Sequence, residues 1–108
     1  MKKITIYTSK RGKKPFSAWI QSIKDIVTRA KIKNRLNRLE LGHYGDYKRI
    51  NNKINELRLD YGPGYRVYFV ILDDINILIL NGGSKRSQHR DICLAISYWR
   101  DYWERKDD

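Results

Sequence analysis

The stretch that decides the fold runs from Ile54 to Asn81, INELRLDYGPGYRVYFVILDDINILILN. It contains three runs rich in β-branched and aromatic residues, Ile54–Leu59, Tyr65–Leu72 and Ile75–Asn81. The runs are separated by Tyr-Gly-Pro-Gly and by Asp-Asp, which are typical turn sequences. Short turns of this kind favour antiparallel pairing of consecutive strands. The sequence therefore predicts a three-stranded antiparallel meander.

The register of the meander decides which side chains share a face of the sheet. If the Asp-Asp pair is a two-residue loop, Leu72 pairs with Ile75, and Arg66 then lies opposite Asn81. In the preceding hairpin, an even sum of partner numbers places Arg58 on the same face as Arg66, whereas an odd sum places it on the other face. The sequence does not choose between these two registers.

Before the meander, the pattern predicts a strand and a helical hairpin. Lys3–Tyr7 alternates like a strand, and Pro15 suits the first turn of a helix. Asp25 can cap a second helix, and Gly42 can end it. Residues 42–49 are expected to form a loop. The second helix is expected to bury its apolar residues, which are Ile26, Val27, Ala30, Ile32, Leu36 and Leu39.

After the meander, a last helix is expected from about Ser87, with apolar residues at helical spacing and Asp101 four residues before Arg105. Cys93 is expected in or near the core, and residues 106–108 are expected to fray. The 108 residues, 41% of them hydrophobic, support one domain over residues 1–108. Its predicted class is α+β, with an N-terminal strand and helical hairpin, the meander, and a C-terminal helix.

The charge of the chain is large and unevenly placed. The 23 Lys+Arg and 12 Asp+Glu give a formal net charge of +11. Residues 1–60 hold 16 of the basic and 5 of the acidic side chains, so the whole excess lies there. Such a field attracts polyanions, and it exceeds the charge of about 2 to 8 that solubility requires. We therefore expect a nucleic acid or ribonucleoprotein partner; the alternative is a lysine-rich surface without a partner.

Composition also argues against several classes of site. One cysteine and two histidines cannot form a Cys/His zinc site or an internal disulfide. No set of converging carboxylates suited to two-metal catalysis is visible. We therefore expect neither a metal nor a cofactor. Because the sequence shows no signal peptide and no apolar run long enough to span a bilayer, we expect no membrane partner and a cytoplasmic location.

Gly82 to Arg86, GGSKR, leave the last predicted strand and lead into the last helix. Glycine backbone, two cations and a helix N-terminus would suit a phosphate cradle, and a tight strand-to-helix turn is the alternative interpretation. His89 lies near this segment, as a catalytic group or as a surface histidine. A basic site without metal can cleave RNA, because the 2′-OH of the substrate attacks the adjacent phosphorus. DNA lacks that hydroxyl.

Two segments carry a resemblance to a known family. ELRLDYGPGYRVYF (residues 56–69), together with LNGGSKRSQ (residues 80–88) followed by Asp91-Ile92, resembles the HigB-like addiction module killer branch of the RelE/ParE toxin superfamily. The resemblance implies a RelE-like fold and a toxin of a type II toxin–antitoxin system. In most relatives such a toxin cleaves messenger RNA on the ribosome without metal, leaving a 2′,3′-cyclic phosphate or 3′-phosphate. The implied partners are messenger RNA, the ribosome and a HigA-like helix-turn-helix antitoxin.

The resemblance implies roles for single residues. Arg66 matches the phosphate-stabilising arginine of the family, Lys85 the basic residue of its glycine loop, and Arg58 a cation on the preceding strand. Two positions depart from the ribosome-dependent nucleases: Glu56 stands where they carry a second cation, and Asp91 stands near the place of their catalytic tyrosine or histidine.

Proton transfer is therefore left open. Lys85 or His89 is expected to act as general acid, and a neutral lysine or histidine as the base that deprotonates the 2′-OH. The remaining contacts with RNA are expected from Arg86, Lys48, Arg49 and Asn81.

Two other functions stay open at this point. One is inhibition of DNA gyrase by protein contact, which is the other activity of the superfamily and would depend on the helical hairpin or the last helix. The other is binding of ribosome or nucleic acid without cleavage. The cationic set of Arg58, Arg66 and Lys85 favours the nuclease, whereas the missing proton donor favours the gyrase inhibitor.

Overall fold

The predicted elements assemble into a five-stranded mixed sheet with helices on both faces, in a computed structural model that describes residues 1–106. The predicted fraying falls partly on residues 107 and 108, which lie outside the described residues. In chain order the elements are β1 (Lys3–Ile6), α1 (Pro15–Ser22), α2 (Ile26–Glu40), β2 (Tyr47–Arg49), β3 (Ile54–Leu59), β4 (Tyr65–Ile71), β5 (Asn76–Ser84), a 3₁₀ turn (Lys85–Ser87) and α3 (Gln88–Lys106). The α+β class and the central meander are confirmed.

The sheet is larger than the predicted meander. Its strand order is β1-β5-β4-β3-β2, with β1 parallel to β5 and the other pairs antiparallel. The prediction of a loop over residues 42–49 is wrong at its end, because Tyr47–Arg49 pairs with β3 as an edge strand. All three β2 residues are exposed, so no alternation of apolar and polar side chains marks this strand in the sequence.

Helix α2 begins and ends as the sequence predicts. The Asp25 carboxylate accepts hydrogen bonds from the Val27 N–H at 3.2 Å and from the Thr28 hydroxyl at 2.7 Å. These bonds lower the pKa of the carboxyl, led by the bond from Thr28. At the other end, Gly42 has a φ of +85°, the left-handed conformation that commonly follows a helix C-terminus.

The buried stripe of α2 differs from the predicted one. Ile32 and Leu39 are fully buried, but Ile26 and Val27 are 72% and 55% exposed. Ala30 is exposed as well. The stripe passes instead through Thr28, whose hydroxyl is satisfied by the Asp25 cap and can therefore be buried. At about 100° per residue, the exposed apolar residues lie well around the helix from that stripe.

Each face of the sheet carries its own hydrophobic core. Under α1 and α2 the buried residues are Phe16, Ile20, Ile32, Leu39, Leu57, Leu59, Val67, Phe69, Ile77 and Ile79. Under α3 they are Tyr7, Ile54, Tyr68, Val70, Leu78, Leu80 and Ala95. Because successive strand residues point to opposite faces, the α3 face of the β3–β4 hairpin also receives residues 56, 58 and 66.

Helix α3 buries one side only. Ala95 is fully buried, whereas Cys93 is exposed, so the prediction of a core cysteine is wrong. The predicted pair at the end of the helix is confirmed, with Arg105 Nη2 2.8 Å from Asp101 Oδ2. Among the described helices, none is long and apolar enough to cross a membrane.

Candidate functional site

Arg58 and Arg66 face each other across strands β3 and β4. The register pairs them directly, which is the even one of the two registers that the sequence left open. Both point to the α3 face, as Ile54 and Tyr68 do on the same strands. Like charges in directly opposite positions repel each other. An anion held between the two guanidinium groups would relieve that repulsion.

The predicted cross-strand pairing of Arg66 with Asn81 is wrong. The hydrogen bond that closes the β4–β5 turn joins Leu72 N–H to Asn76 O at 2.8 Å, so three residues form the loop instead of two. A β-bulge farther along the hairpin shifts the register once more. Arg66 therefore lies opposite Gly83 and not opposite Asn81. Neither shift could be read from the alternation of apolar residues, which changes little along β5.

Arg58 and Arg66 share an open depression at the tip of the β3–β4 hairpin. Its volume is about 270 Å³, and we call it the arginine depression; its lining residues are Asp46, Arg58, Leu59, Asp60 and Arg66. Arg58 Nη2 lies 3.2 Å from Asp46 Oδ1. The Nε atoms of both arginines are buried and have no hydrogen-bond partner within the described part of the chain. The depression thus combines two cations with two carboxylates.

Lys85 adjoins this depression at Gly64. Its backbone N–H donates to the Gly64 carbonyl oxygen at 2.7 Å. A Cβ placed on Gly64 would lie 2.9 Å from Arg66 Nη1 and 3.5 Å from the Lys85 Cβ. The structure therefore brings Arg58, Arg66 and Lys85 to one end of the sheet, with the lysine side chain exposed.

The other predicted site residues are distributed differently. His89 lines a separate open cavity of about 630 Å³ together with Arg86 and Arg90. Lys48 and Arg49 are exposed on β2, where Lys48 pairs with Glu56 and so shares the face of the arginine pair, whereas Arg49 pairs with Asn55 and takes the other face. The structure thus separates His89 from the arginine depression.

Asn81 does not lie at the surface. It is 4% exposed, and its Nδ2 donates to the backbone oxygen of Asp91 at 3.0 Å. This corrects its predicted role as an RNA contact, because the side chain lies beneath α3, where a strand of RNA does not reach it. The burial follows from the bulge in β5, which turns Asn81 to the α3 face opposite Tyr68.

Glu56 is buried next to the arginine pair, on the same face of the sheet. It is 1% exposed, and its Oε2 accepts hydrogen bonds from the Tyr68 hydroxyl at 3.1 Å and from Gln88 Nε2 at 2.7 Å. Burial, followed by the charge of Glu56, raises the pKa of the Tyr68 phenol above its ordinary value. The phenol therefore stays protonated and continues to donate its hydrogen bond.

Asp91 lies on the same face, at the start of α3, and is 4% exposed. Its Oδ2 accepts a hydrogen bond from the Ser87 hydroxyl at 2.5 Å. We call the set Glu56, Tyr68, Gln88, Ser87 and Asp91 the buried acid layer. The hydrogen bonds from Ser87 to Asp91 and from Gln88 to Glu56 hold the 3₁₀ turn Lys85–Ser87 in place. Within residues 1–106, no group of three or more His, Cys, Asp or Glu side chains is placed to share a metal ion.

Close packing explains the two glycines at the end of β5. A Cβ on Gly83 would lie 1.8 Å from Asp91 Oδ2, and a Cβ on Gly82 would lie 2.3 Å from the Trp19 ring. Both glycines belong to the extended strand β5. The glycines of the predicted phosphate cradle therefore admit neighbouring side chains on the two faces of the sheet. The sequence offered one signal for this, namely that two glycines end an otherwise apolar strand.

A comparison with known proteins gives one relationship. The chain is 42% identical to an uncharacterized protein of Haemophilus influenzae over 80 residues, which are 74% of this chain and 81% of the relative. No family model matches the sequence. Because the relative is uncharacterized, it assigns no activity to this chain.

Proposed function

The chain belongs to the same family as this Haemophilus influenzae protein, and we propose that it is the toxin of a type II toxin–antitoxin module, a RelE/HigB-like endoribonuclease. It would cleave messenger RNA on the ribosome and so inhibit translation. The observation that carries the proposal is the direct pairing of Arg58 with Arg66 beside an exposed lysine. Its partners would be messenger RNA, the ribosome and a HigA-like helix-turn-helix antitoxin.

The arginine pair suits the transition state of RNA cleavage. When a 2′-oxygen attacks phosphorus, negative charge grows on the phosphoryl oxygens, and preorganised cations stabilise it. Arginine presents several N–H donors in a fixed fork and stays protonated, so it binds that charge without exchanging protons. Both arginines line the arginine depression, so their guanidinium groups can donate to a phosphate that is bound there.

The geometry favours Lys85 over His89 as the general acid. Lys85 packs on Gly64 beside the Arg66 guanidinium, whereas His89 lines the separate cavity with Arg86 and Arg90. The exposed lysine side chain starts beside Gly64, and an ammonium group that reaches the scissile bond can give its proton to the departing 5′-oxygen. His89 would then contact the RNA beyond the scissile bond.

Expression of the R66A variant tests the proposal. The wild-type protein is expected to arrest growth and to produce new 5′ ends within codons of cellular messages, and R66A is expected to do neither while still binding the antitoxin. R100A is the matched control, because Arg100 is an exposed cation on α3 away from the arginine depression. Growth arrest by R66A, or arrest with intact messages, would contradict the nuclease.

One observation favours a second candidate, the gyrase inhibitor. Ile26 and Val27 are exposed on the first turn of α2, which fits a contact with a protein partner. If the chain acts on gyrase, R66A will still arrest growth, V27D will not, and double-strand DNA breaks will accumulate. If the surface instead binds an antitoxin, no double-strand DNA breaks will accumulate.

A further inference from the structure

The arginine depression contains two carboxylates that differ in their surroundings. Asp46 is held in place, since its Oδ1 contacts Arg58 Nη2 at 3.2 Å and its backbone oxygen accepts the Arg58 N–H at 2.9 Å. Asp60 follows the last residue of β3, and its exposed carboxylate makes no hydrogen bond or ion pair with any residue in 1–106. One carboxylate is thus engaged, whereas the other is unengaged and lines the depression that a substrate would occupy.

The chemistry of the lining leaves few groups able to accept a proton. Arg58 and Arg66 remain protonated and serve only as donors, and Leu59 has no ionisable group. Cleavage through a 2′-oxygen nonetheless requires a base within hydrogen-bond reach of the 2′-OH. Among the lining residues only Asp46 and Asp60 can take up a proton, and Asp46 is already bound to Arg58.

We propose that Asp60 is the general base of the reaction, an inference that rests on the proposed endoribonuclease function. The Asp60 carboxylate takes the proton of the 2′-OH as the 2′-oxygen forms its bond to phosphorus. The bond between phosphorus and the 5′-oxygen breaks, and that oxygen receives a proton from the Lys85 ammonium. The products are a 2′,3′-cyclic phosphate and a 5′-hydroxyl. Exchange with water then returns the proton to Lys85 and removes the one on Asp60.

Single-turnover cleavage of a labelled message in purified ribosomes tests this role. The D60N variant is expected to lose about 10²- to 10⁴-fold in the cleavage rate, the range for removal of a general base. Its affinity for RNA should be unchanged or slightly higher, because the change removes one negative charge near the phosphate. D74N, which removes an exposed carboxylate from the opposite β4–β5 turn, is the matched control and should cleave like the wild type.

The pH dependence of the cleavage rate of the D60H variant distinguishes a general base from a residue that only supports the structure. Histidine protonates near pH 6.5 and aspartic acid near pH 4. We therefore expect the D60H rate to fall more steeply than the wild-type rate as the pH drops below about 6.5. Unfolding midpoints of all variants check that the exposed substitution leaves the fold intact.

The outcomes separate this inference from the function on which it rests. If the wild-type protein leaves RNA intact, the proposed nuclease fails. If the wild type cleaves and D60N cleaves at the same rate, or if D60N loses RNA binding together with cleavage, Asp60 is not the base and the nuclease stands. A pH profile of D60H that coincides with the wild-type profile would also overturn the inference.

Discussion

Two neighbouring cross-strand pairs of the β3–β4 hairpin carry charged side chains in opposite environments. Glu56 and Tyr68 are opposite each other and buried, and the carboxylate receives hydrogen bonds from the phenol and from Gln88. Arg58 and Arg66 form the next pair on that face, with equal charges facing each other and each Nε without a partner in the described chain. The first pair is satisfied by hydrogen bonds within the protein. In the second pair, Arg58 has a surface contact with Asp46, and Arg66 has no ion pair among residues 1–106.

The two pairs are expected to play different roles, because the buried pair stabilises the fold and the arginine pair is available to bind RNA. A buried carboxylate is costly unless donors surround it, and here the donors come from β4 and α3, so the buried acid layer ties these elements together. The arginine pair contributes no comparable link. Substitutions in the buried acid layer should therefore lower stability, whereas substitutions in the arginine depression should change RNA binding and cleavage.

The largest loss of stability is expected from G83A. The new Cβ would lie 1.8 Å from Asp91 Oδ2, so the carboxylate must move and its bond with Ser87 must break. Overpacking combined with a lost hydrogen bond should lower the free energy of unfolding by about 3 kcal/mol, measured by urea denaturation. In the double variant G83A/D91A, the cost should be clearly smaller than the sum of the two single costs. Additive costs would mean that the two residues do not interact.

A smaller loss is expected from Y68F. The change keeps the ring and removes the hydroxyl that donates to Glu56 at 3.1 Å. Because the bond is buried and its acceptor is a carboxylate, its loss should lower the free energy of unfolding by about 2 kcal/mol. Y61F is the control, since Tyr61 is an exposed tyrosine in the β3–β4 turn. Equal stability of Y68F and the wild type would contradict the supporting role of the buried acid layer.

The same contrast shows what could be predicted from the sequence. Local signals were sufficient for the Asp25 cap and the meander strands, because a cap and an apolar run depend on a few adjacent residues. The partner of Arg66 depends on a bulge, and the burial of Glu56 depends on Gln88, which is 32 residues away. A charge in a strand suggests exposure when the strand is considered alone. Only the tertiary contacts show that Glu56 is fully covered, whereas part of the Arg58 side chain stays exposed.

A change of pH probes a second buried phenol on the α3 face. Burial first, and then the bond to Asp101, raise the pKa of Tyr7 from 10.0 to about 12. The unfolded chain then loses this proton at lower pH than the folded protein does. The resulting stability is fully present below pH 10 and is lost as the pH rises toward about 12. Urea denaturation should show this decline for the wild type and a shallower one for Y7F; parallel declines would contradict it.

The smallest effect on stability is expected from D46N, which removes a carboxylate from the arginine depression and should strengthen RNA binding. Asp46 pairs with Arg58 at the surface, and such pairs contribute about 0 to 1 kcal/mol, so the unfolding midpoint should hardly move. Removal of the carboxylate frees the Arg58 guanidinium for phosphate. Affinity for an RNA oligonucleotide should therefore rise several-fold, with a steeper dependence on salt concentration. D74N is again the control for loss of one negative charge. If D46N and D74N bind RNA equally well, Arg58 does not exchange Asp46 for phosphate, and the two cross-strand pairs differ less than their geometry indicates.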